Sequence, residues 1–359
     1  MKSKILLLFI AFVMVSCSGN ARRTKVTITG NQFYINGELT YKGRFWKGNK
    51  IEGLLLNSRM VQGIFDDLNS ETRDNFVYPD TKVWDANRNT NEFISHMEEW
   101  KSYGLLAFTL NLQGGSPIGY GNNAWINSAF DEKGELRTDY MTRLGRILNK
   151  ADELNMAVIL GYFYFGQDQS LENEQAVIKA VDNITNWILN KGYQNILIEV
   201  NNECNILYDH KILQPERVPE LIKRVHNTTK DGYRLLVSTS YGGGTIPDSA
   251  VVAASDFVLI HGNGVSNSSR ITAMVEATKK VIGSNSKPIL FNEDDHFNFE
   301  SDTCNFATAV KAYASWGYFD YRMKGEGFES GYQSVPVDWG INSDRKKGFF
   351  KKLHEITSE

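Results

Sequence analysis

Short, nearly uninterrupted apolar runs recur along this chain, and between them apolar positions return every three or four residues. The runs fall at 53–56, 105–110, 157–163, 196–200, 235–238, 257–260, 288–291 and 318–321. Apolar runs of about four to eight residues predict strands buried on both faces, as in a parallel sheet covered by helices. Helical spacing covers 91–103, 139–154, 172–190, 216–230, 268–282 and 304–315. In the first of these stretches Phe93, Met97 and Trp100 share one face. The connections after the first and fifth runs carry the weakest helical signal, and 248–255 has room for two turns at most. Ahead of the repeat, residues 25–42 alternate apolar and polar (Val26, Ile28, Phe33, Ile35) around Gly30-Asn31 and Asn36-Gly37, which predicts a β-hairpin.

Eight strand–helix units of roughly 37 residues each predict an α/β fold, a (β/α)8 TIM barrel with a short N-terminal β-hairpin. The rival, an open doubly wound sheet, would favour a glycine fingerprint after the first strand, and Asn57-Ser58-Arg59-Met60 is none. Neither an internal repeat nor a Pro-rich linker divides the chain, so residues 25–359 are expected to form one domain. The longest connections, 58–90 and 112–138, follow strand ends and are expected on the barrel face where chemistry occurs.

Of the 359 residues 42% are apolar and 23% charged, with a net charge of −3, which excludes a disordered chain and makes nucleic acid an unsuitable partner. Lys2 and Lys4 precede an apolar run too short to span a bilayer, the layout of a secretory signal. Met14-Val15-Ser16-Cys17 resembles a bacterial lipobox, which implies removal of residues 1–16, acylation of Cys17 and a polar tether over 17–24. An exported protein, lipid-anchored to the cell envelope and otherwise monomeric, is expected. Cys204 and Cys304 are either buried small hydrophobes or a disulfide pair.

The fourth run ends Glu199-Val200-Asn201-Asn202-Glu203, and the seventh ends Phe291-Asn292-Glu293. Each places a carboxylate where an apolar run stops, hence at the barrel mouth. Three strand–helix units separate them, so they face each other across the opening. Glycoside hydrolysis needs such a pair, one carboxyl to protonate the leaving oxygen and one to support an oxocarbenium-like centre. Asn202 beside Glu203 can donate to a sugar hydroxyl next to the reacting carbon.

Glu199-Val200-Asn201-Asn202-Glu203 resembles the strand-four signature of clan A glycoside hydrolases, particularly the cellulase-like family 5, and residues 287–293 resemble its strand-seven segment. The resemblance implies a retaining glycosidase acting by double displacement, without cofactor or metal, on an oligo- or polysaccharide. Glu203 would be its acid/base and Glu293 its nucleophile, with carboxyls about 5 Å apart. Glu203 would stay protonated, its pKa raised by its ionised neighbour.

The chain also departs from that pattern. Cys204 stands where the clan usually has Pro, residues 105–111 lack the supporting Arg, and the strand-six His-x-Tyr pattern reads His261-Gly262-Asn263. Residues 318–322 lack a Trp platform. Arg59 or Arg322 is expected to hold Glu293 ionised, while Asn111, Asn202 and His261 bind hydroxyls. Tyr162, Tyr164, Trp125 and Tyr241 are candidates for stacking on sugar rings, whose C–H faces suit aromatic surfaces. These departures motivate the alternative, a noncatalytic glycan-binding barrel lipoprotein.

Asp294-Asp295-His296 has metal-ligand chemistry, but consecutive residues are expected to point apart and leave no site. Asp66-Asp67 is expected to be a solvated loop or a hydroxyl acceptor. Gly242-Gly243-Gly244 lacks the Lys-Ser/Thr of a phosphate loop and reads as a flexible connection.

Overall fold

The computed structural model of the chain describes residues 24–120 and 124–358. The expected signal sequence, the Cys17 lipidation site and nearly all of the tether lie outside the described residues. Among the described residues, no helix is long and apolar enough to cross a membrane.

Strand and helix alternate through the chain. The order is β1 Asn57–Arg59, α1 Ala86–Ser102, β2 Ala107–Asn111, α2 Thr138–Glu153, β3 Ala157–Tyr164, α3 Glu174–Lys191, β4 Ile196–Asn202 and α4 Val218–Asn227. It continues with β5 Leu236–Ser238, α5 Ser249–Ala254, β6 Val258–His261, α6 Ser268–Ile282, β7 Ile289–Glu293, α7 Asn305–Lys311, β8 Gly317–Tyr318 and α8 Asp344–Ser358. Six strands form one parallel ladder in the order β5-β4-β3-β2-β1-β8, and β6 pairs with β7. The two parts meet at two seams. At one, Leu290 and Ser315 form a parallel bridge, with Phe291 N–H donating to Ser315 O at 2.9 Å. At the other, Asp256 N–H donates to Val237 O at 2.9 Å. The result is the (β/α)8 architecture expected from the spacing of the runs.

The expected hairpin is present. Strands Val26–Thr29 and Gln32–Ile35 are antiparallel, and Asn36 and Gly37 both take positive φ, at 54° and 80°. Val26 and Phe33 pack against Leu55, Ala107, Ala157, Leu197 and Leu290, so the hairpin covers the bottom of the barrel. Each side chain fully buried in this way contributes on the order of 1.5–3 kcal/mol relative to exposure. The closed lower end fixes the opposite end, where the strands finish, as the open face.

Three expectations about elements are corrected. The apolar run 53–56 only leads into the first strand, turned by Gly53 at φ 88°, and the ladder begins at Asn57. Helix α1 is seventeen residues long, not a weak connection; its polar first turn hides it, and Asp85 caps it by accepting from Asn87 N and Arg88 N. Helix α8 buries Phe349, Phe350, Leu353 and Ile356 at helical spacing that the sequence reading passed over. Cys204 and Cys304 are both free and buried.

Candidate active site

The strand ends gather a buried charged cluster. Arg59 ends β1, Asn202 ends β4 with Glu203 directly after it, His261 ends β6 and Glu293 ends β7. In an extended strand, adjacent side chains point to opposite faces. Glu203 breaks that rule by taking φ 52°, in the left-handed region, so that Asn202 and Glu203 both serve the same centre. A register shift between Ile260 and His261 acts similarly, pairing His261 with Glu293 rather than Asn292.

The contacts are close. Arg59 Nε lies 2.8 Å from Glu293 Oε2, and its Nη2 donates to Asn202 Oδ1 at 3.0 Å. His261 Nδ1 lies 2.9 Å from Glu203 Oε1 and 3.7 Å from Glu293 Oε2. Asn263 Nδ2 donates to Glu293 Oε1 at 2.5 Å. Ligand atoms of Glu203, His261 and Glu293 all fall within 4.8 Å of one another, so the two carboxylates share one space. The Glu293 side chain is 3% exposed and that of Glu203 is 13% exposed, which gives Glu203 the readier access to an incoming molecule.

Charge is distributed differently from the sequence expectation. Burial raises the Glu293 carboxyl above its ordinary range, opposed by Arg59 and His261 and reinforced by Glu203. Burial also acts against ionised Glu203, but the His261 hydrogen bond and charge, with Arg59 and the Gly243 amide, outweigh it and lower the carboxyl. His261 is raised: burial disfavours its cation, yet Glu293, Glu203 and Glu199 together favour it more. The shifts of His261 and Glu203 run in the same sense, toward an imidazolium beside a carboxylate. The reason is the imidazole wedged between two carboxylates, which the sequence could not place. Arg59 is held more strongly cationic than usual, because Glu293, Tyr164, Glu199 and Glu203 together overcome its burial.

Several predicted residues join this centre. Arg59 is the cation at Glu293, Asn202 orients it, and Tyr164 lies under it, with the guanidinium carbon 5.9 Å from the ring centre. Asn111 ends β2 in register with Gly161, where an added Cβ would collide with the Asn111 amide oxygen. Buried Asn111 has neither amide atom paired with protein, and Asn202 Nδ2 and His261 Nε2 are likewise unpaired. Buried polar atoms are normally satisfied, so this group suits a polar ligand.

Others are elsewhere. Arg322 is no partner of Glu293; its guanidinium is taken by the carbonyls of Gly327, Phe328, Ser334 and Pro336. Tyr162 turns outward and its hydroxyl meets Thr185 Oγ1 of α3 at 3.2 Å. The Tyr241 hydroxyl bonds Asp248 at 3.1 Å, and Trp125 packs edge-on against Phe76. Asp67 is fully buried and organises its own loop through Asn69, Thr72 and Ile126, while Asp66 accepts from Trp84 Nε1. Neither fits the solvated reading.

Asp294, Asp295 and His296 do converge, their ligand atoms lying within 4.8 Å, contrary to the expectation that they diverge. Protein donors already occupy these carboxylates. Asp294 takes Trp316 Nε1, Asn305 Nδ2 and His296, while Asp295 takes Tyr120 OH and Gly264 N. The trio is thus a hydrogen-bonded brace behind Glu293.

The sequence gives no signal of a role for Asn263, Tyr120 or Glu199. Asn263 stands two residues past His261, where the family pattern has Tyr, and supplies a donor to Glu293. Tyr120 is 58% exposed, bonded to Asp295 at 2.8 Å, with its ring 5.0 Å from that of Tyr321 and 5.8 Å from Phe319. Tyr120 and Tyr321 form an aromatic surface beside the mouth, backed by the buried Phe319. In the sequence Tyr120 is only an aromatic residue in a long loop.

No protein-family model and no curated protein matches the chain. Solved structures do. PbGH5A, a glycoside hydrolase family 5 enzyme from Prevotella bryantii B14, aligns with a TM-score of 0.55 at 11% identity, over 84% of this chain and 95% of that one. A β-1,4-D-mannanase from Cryptopygus antarcticus aligns at 0.54 with 13% identity, over 94% and 95%. A broad-specificity endoglucanase from Clostridium longisporum aligns at 0.54 with 10% identity, over 84% and 97%. At such identities the likeness establishes the fold: the chain has the barrel found in family 5 glycoside hydrolases, with a divergent sequence.

Proposed function

We propose that the chain is a retaining glycoside hydrolase in which Glu293 is the nucleophile and Glu203 the acid/base. The observation that carries this reading is the sharing of one space by their carboxylates, with ligand atoms inside 4.8 Å. Retaining enzymes hold the two carboxyls about 5–5.5 Å apart, whereas inverting ones leave roughly 6.5–9.5 Å for a water.

In the first step Glu293 attacks the anomeric carbon while the bond to the leaving oxygen breaks and that oxygen receives the proton of the His261–Glu203 pair through Glu203. A covalent glycosyl–Glu293 ester results. In the second step Glu203 takes a proton from water, the water oxygen attacks the anomeric carbon, and Glu293 departs as a carboxylate. Arg59 and Asn263 stabilise that departing charge. Asn111 and Asn202 supply buried amides for sugar hydroxyls, and Tyr120 with Tyr321 supplies an apolar face for a ring. The neighbours' named activities, on glucans and a mannan, make β-linked hexose polymers the first substrates to try. We further propose export and anchoring through an acylated Cys17, so that the barrel works at the cell envelope as a monomer.

The test is hydrolysis of a panel of aryl glycosides and oligosaccharides by the wild type, Glu203→Gln and Glu293→Gln. Turnover abolished by Glu293→Gln and reduced by about 10²–10⁴-fold by Glu203→Gln supports the proposal. Saccharide binding with no turnover of any substrate would favour the noncatalytic binder.

A further inference from the structure

Glu199, four residues before Glu203 on β4, is a fully buried carboxylate. Its Oε1 accepts the Ser240 hydroxyl at 2.5 Å, and its Oε2 accepts Asn292 Nδ2 at 3.2 Å and lies 4.0 Å from Arg59 Nη1. A serine hydroxyl has one hydrogen. Because Ser240 spends it on Glu199, its oxygen lone pairs face the other way, and there they accept the Glu203 backbone N–H at 2.9 Å. The Ser240 carbonyl accepts the next amide, Cys204 N, also at 2.9 Å.

These bonds occupy a particular place. The β4–β5 ladder ends at the pair Glu199–Ser238, so regular pairing no longer supports residue 203. Glu203 itself carries φ 52°, a conformation that a residue with a side chain adopts only when its surroundings impose it. The same conformation lets Glu203 and Asn202 face one centre. Remove the grip of Ser240, and the strand end can relax to extended backbone, which swings the Glu203 carboxyl away from His261.

We propose that Glu199 and Ser240 are positioning residues that act through the backbone of Glu203, holding the acid/base carboxyl in place. This rests on the reading of Glu203 as acid/base. It assigns a role to a buried acid that meets Arg59 at 4.0 Å but reaches the Glu203 backbone through Ser240, whereas Asn263 serves Glu293 directly.

Proton donation matters for a poor leaving group and little for a dinitrophenolate, which departs unprotonated. Ser240→Ala and Glu199→Gln should each lower kcat/KM by about ten- to a hundredfold for an unactivated glycoside. For the dinitrophenyl glycoside of the same sugar the loss should stay under about threefold, and the double variant should lose no more than the worse single one. Glu203→Gln, measured alongside, must show the same leaving-group selectivity. If it does not, the assignment of Glu203 fails; if it does and the Ser240 and Glu199 variants lose activity equally on both substrates, the positioning role alone is overturned. Should Ser240→Ala fail to fold, the near-isosteric Glu199→Gln carries the same comparison.

Discussion

His261 Nδ1 sits 2.9 Å from Glu203 Oε1, inside a pocket that has stripped water from the imidazole. Against burial, Glu293 and then Glu203 raise the histidine, and the His261 contact lowers the Glu203 carboxyl, which has consequences at both ends of the pH scale. A raised histidine adds stability that is complete below its unfolded value of about 6.5 and is lost as pH rises through the folded one. A depressed carboxyl adds stability present above its unfolded value of about 4.3 and lost as pH falls through the folded one. The pair therefore stabilises most between those limits. Denaturation of the wild type and His261→Gln should show the largest difference near pH 5–6 and a smaller one near pH 9. The alkaline limb of the activity profile should also move to lower pH in the variant, because Glu203 must then hold the proton unaided.

Arg59 is the nearest cation to both Glu293 and Glu199 and is fully buried. Replacing it by Leu leaves two buried carboxylates without their countercharge, at a cost of about 3–5 kcal/mol. Acid should relieve part of that loss, since Glu293 is already raised by burial and would rise further without Arg59. Urea unfolding at pH 7 and pH 5 checks this: the gap between Arg59→Leu and the wild type should narrow on acidification.

Asn263 donates to Glu293 Oε1 at 2.5 Å from the position where the resembled pattern has Tyr. Asn263→Ala removes a charge-assisted hydrogen bond of about 1.5–3 kcal/mol, predicting a fall in kcat of roughly tenfold to a hundredfold. Since Glu293 is the proposed nucleophile, activated and unactivated glycosides should suffer alike. Steady-state kinetics on both reads this out.

Tyr120 exposes its ring and ties its hydroxyl to Asp295 at 2.8 Å. Tyr120→Ala should raise KM about five- to tenfold for an oligosaccharide, equivalent to about 1–1.4 kcal/mol of stacking, with little change in kcat. Tyr120→Phe keeps the ring and should stay within about twofold of wild type. Equal effects from the two variants would shift the role from stacking to the Asp295 bond.

The fold was legible because strands buried on both faces require continuous apolar runs, which any reading of the chain registers. It failed where the barrel interior is polar. Strand β1 is Asn57-Ser58-Arg59, and hydropathy alone drew it back onto 53–56. Glu203 and Glu293 stood out since a carboxylate interrupts an apolar run. Arg59, Asn202 and His261 were expected at the site, but the contacts they make there were not legible, because those contacts depend on backbone irregularity. Tyr162 and Tyr164 are two residues apart and would share a face in a regular strand, yet one meets Thr185 outside and the other underlies Arg59. The register shift at His261 and the positive φ of Glu203 have no hydropathy signature either. Glu199 was visible as part of the motif, but its task became apparent only with Ser240 beside it.

The retaining mechanism proposed for Glu203 and Glu293 requires a covalent intermediate, and trapping it is the most direct measurement. The enzyme would be incubated with a dinitrophenyl 2-deoxy-2-fluoro glycoside of the sugar it hydrolyses, digested, and mapped by mass spectrometry. The predicted result is one fluoroglycosyl group on the peptide containing Glu293, absent from Glu293→Gln. An active enzyme that forms no adduct and releases product of inverted anomeric configuration would contradict the account.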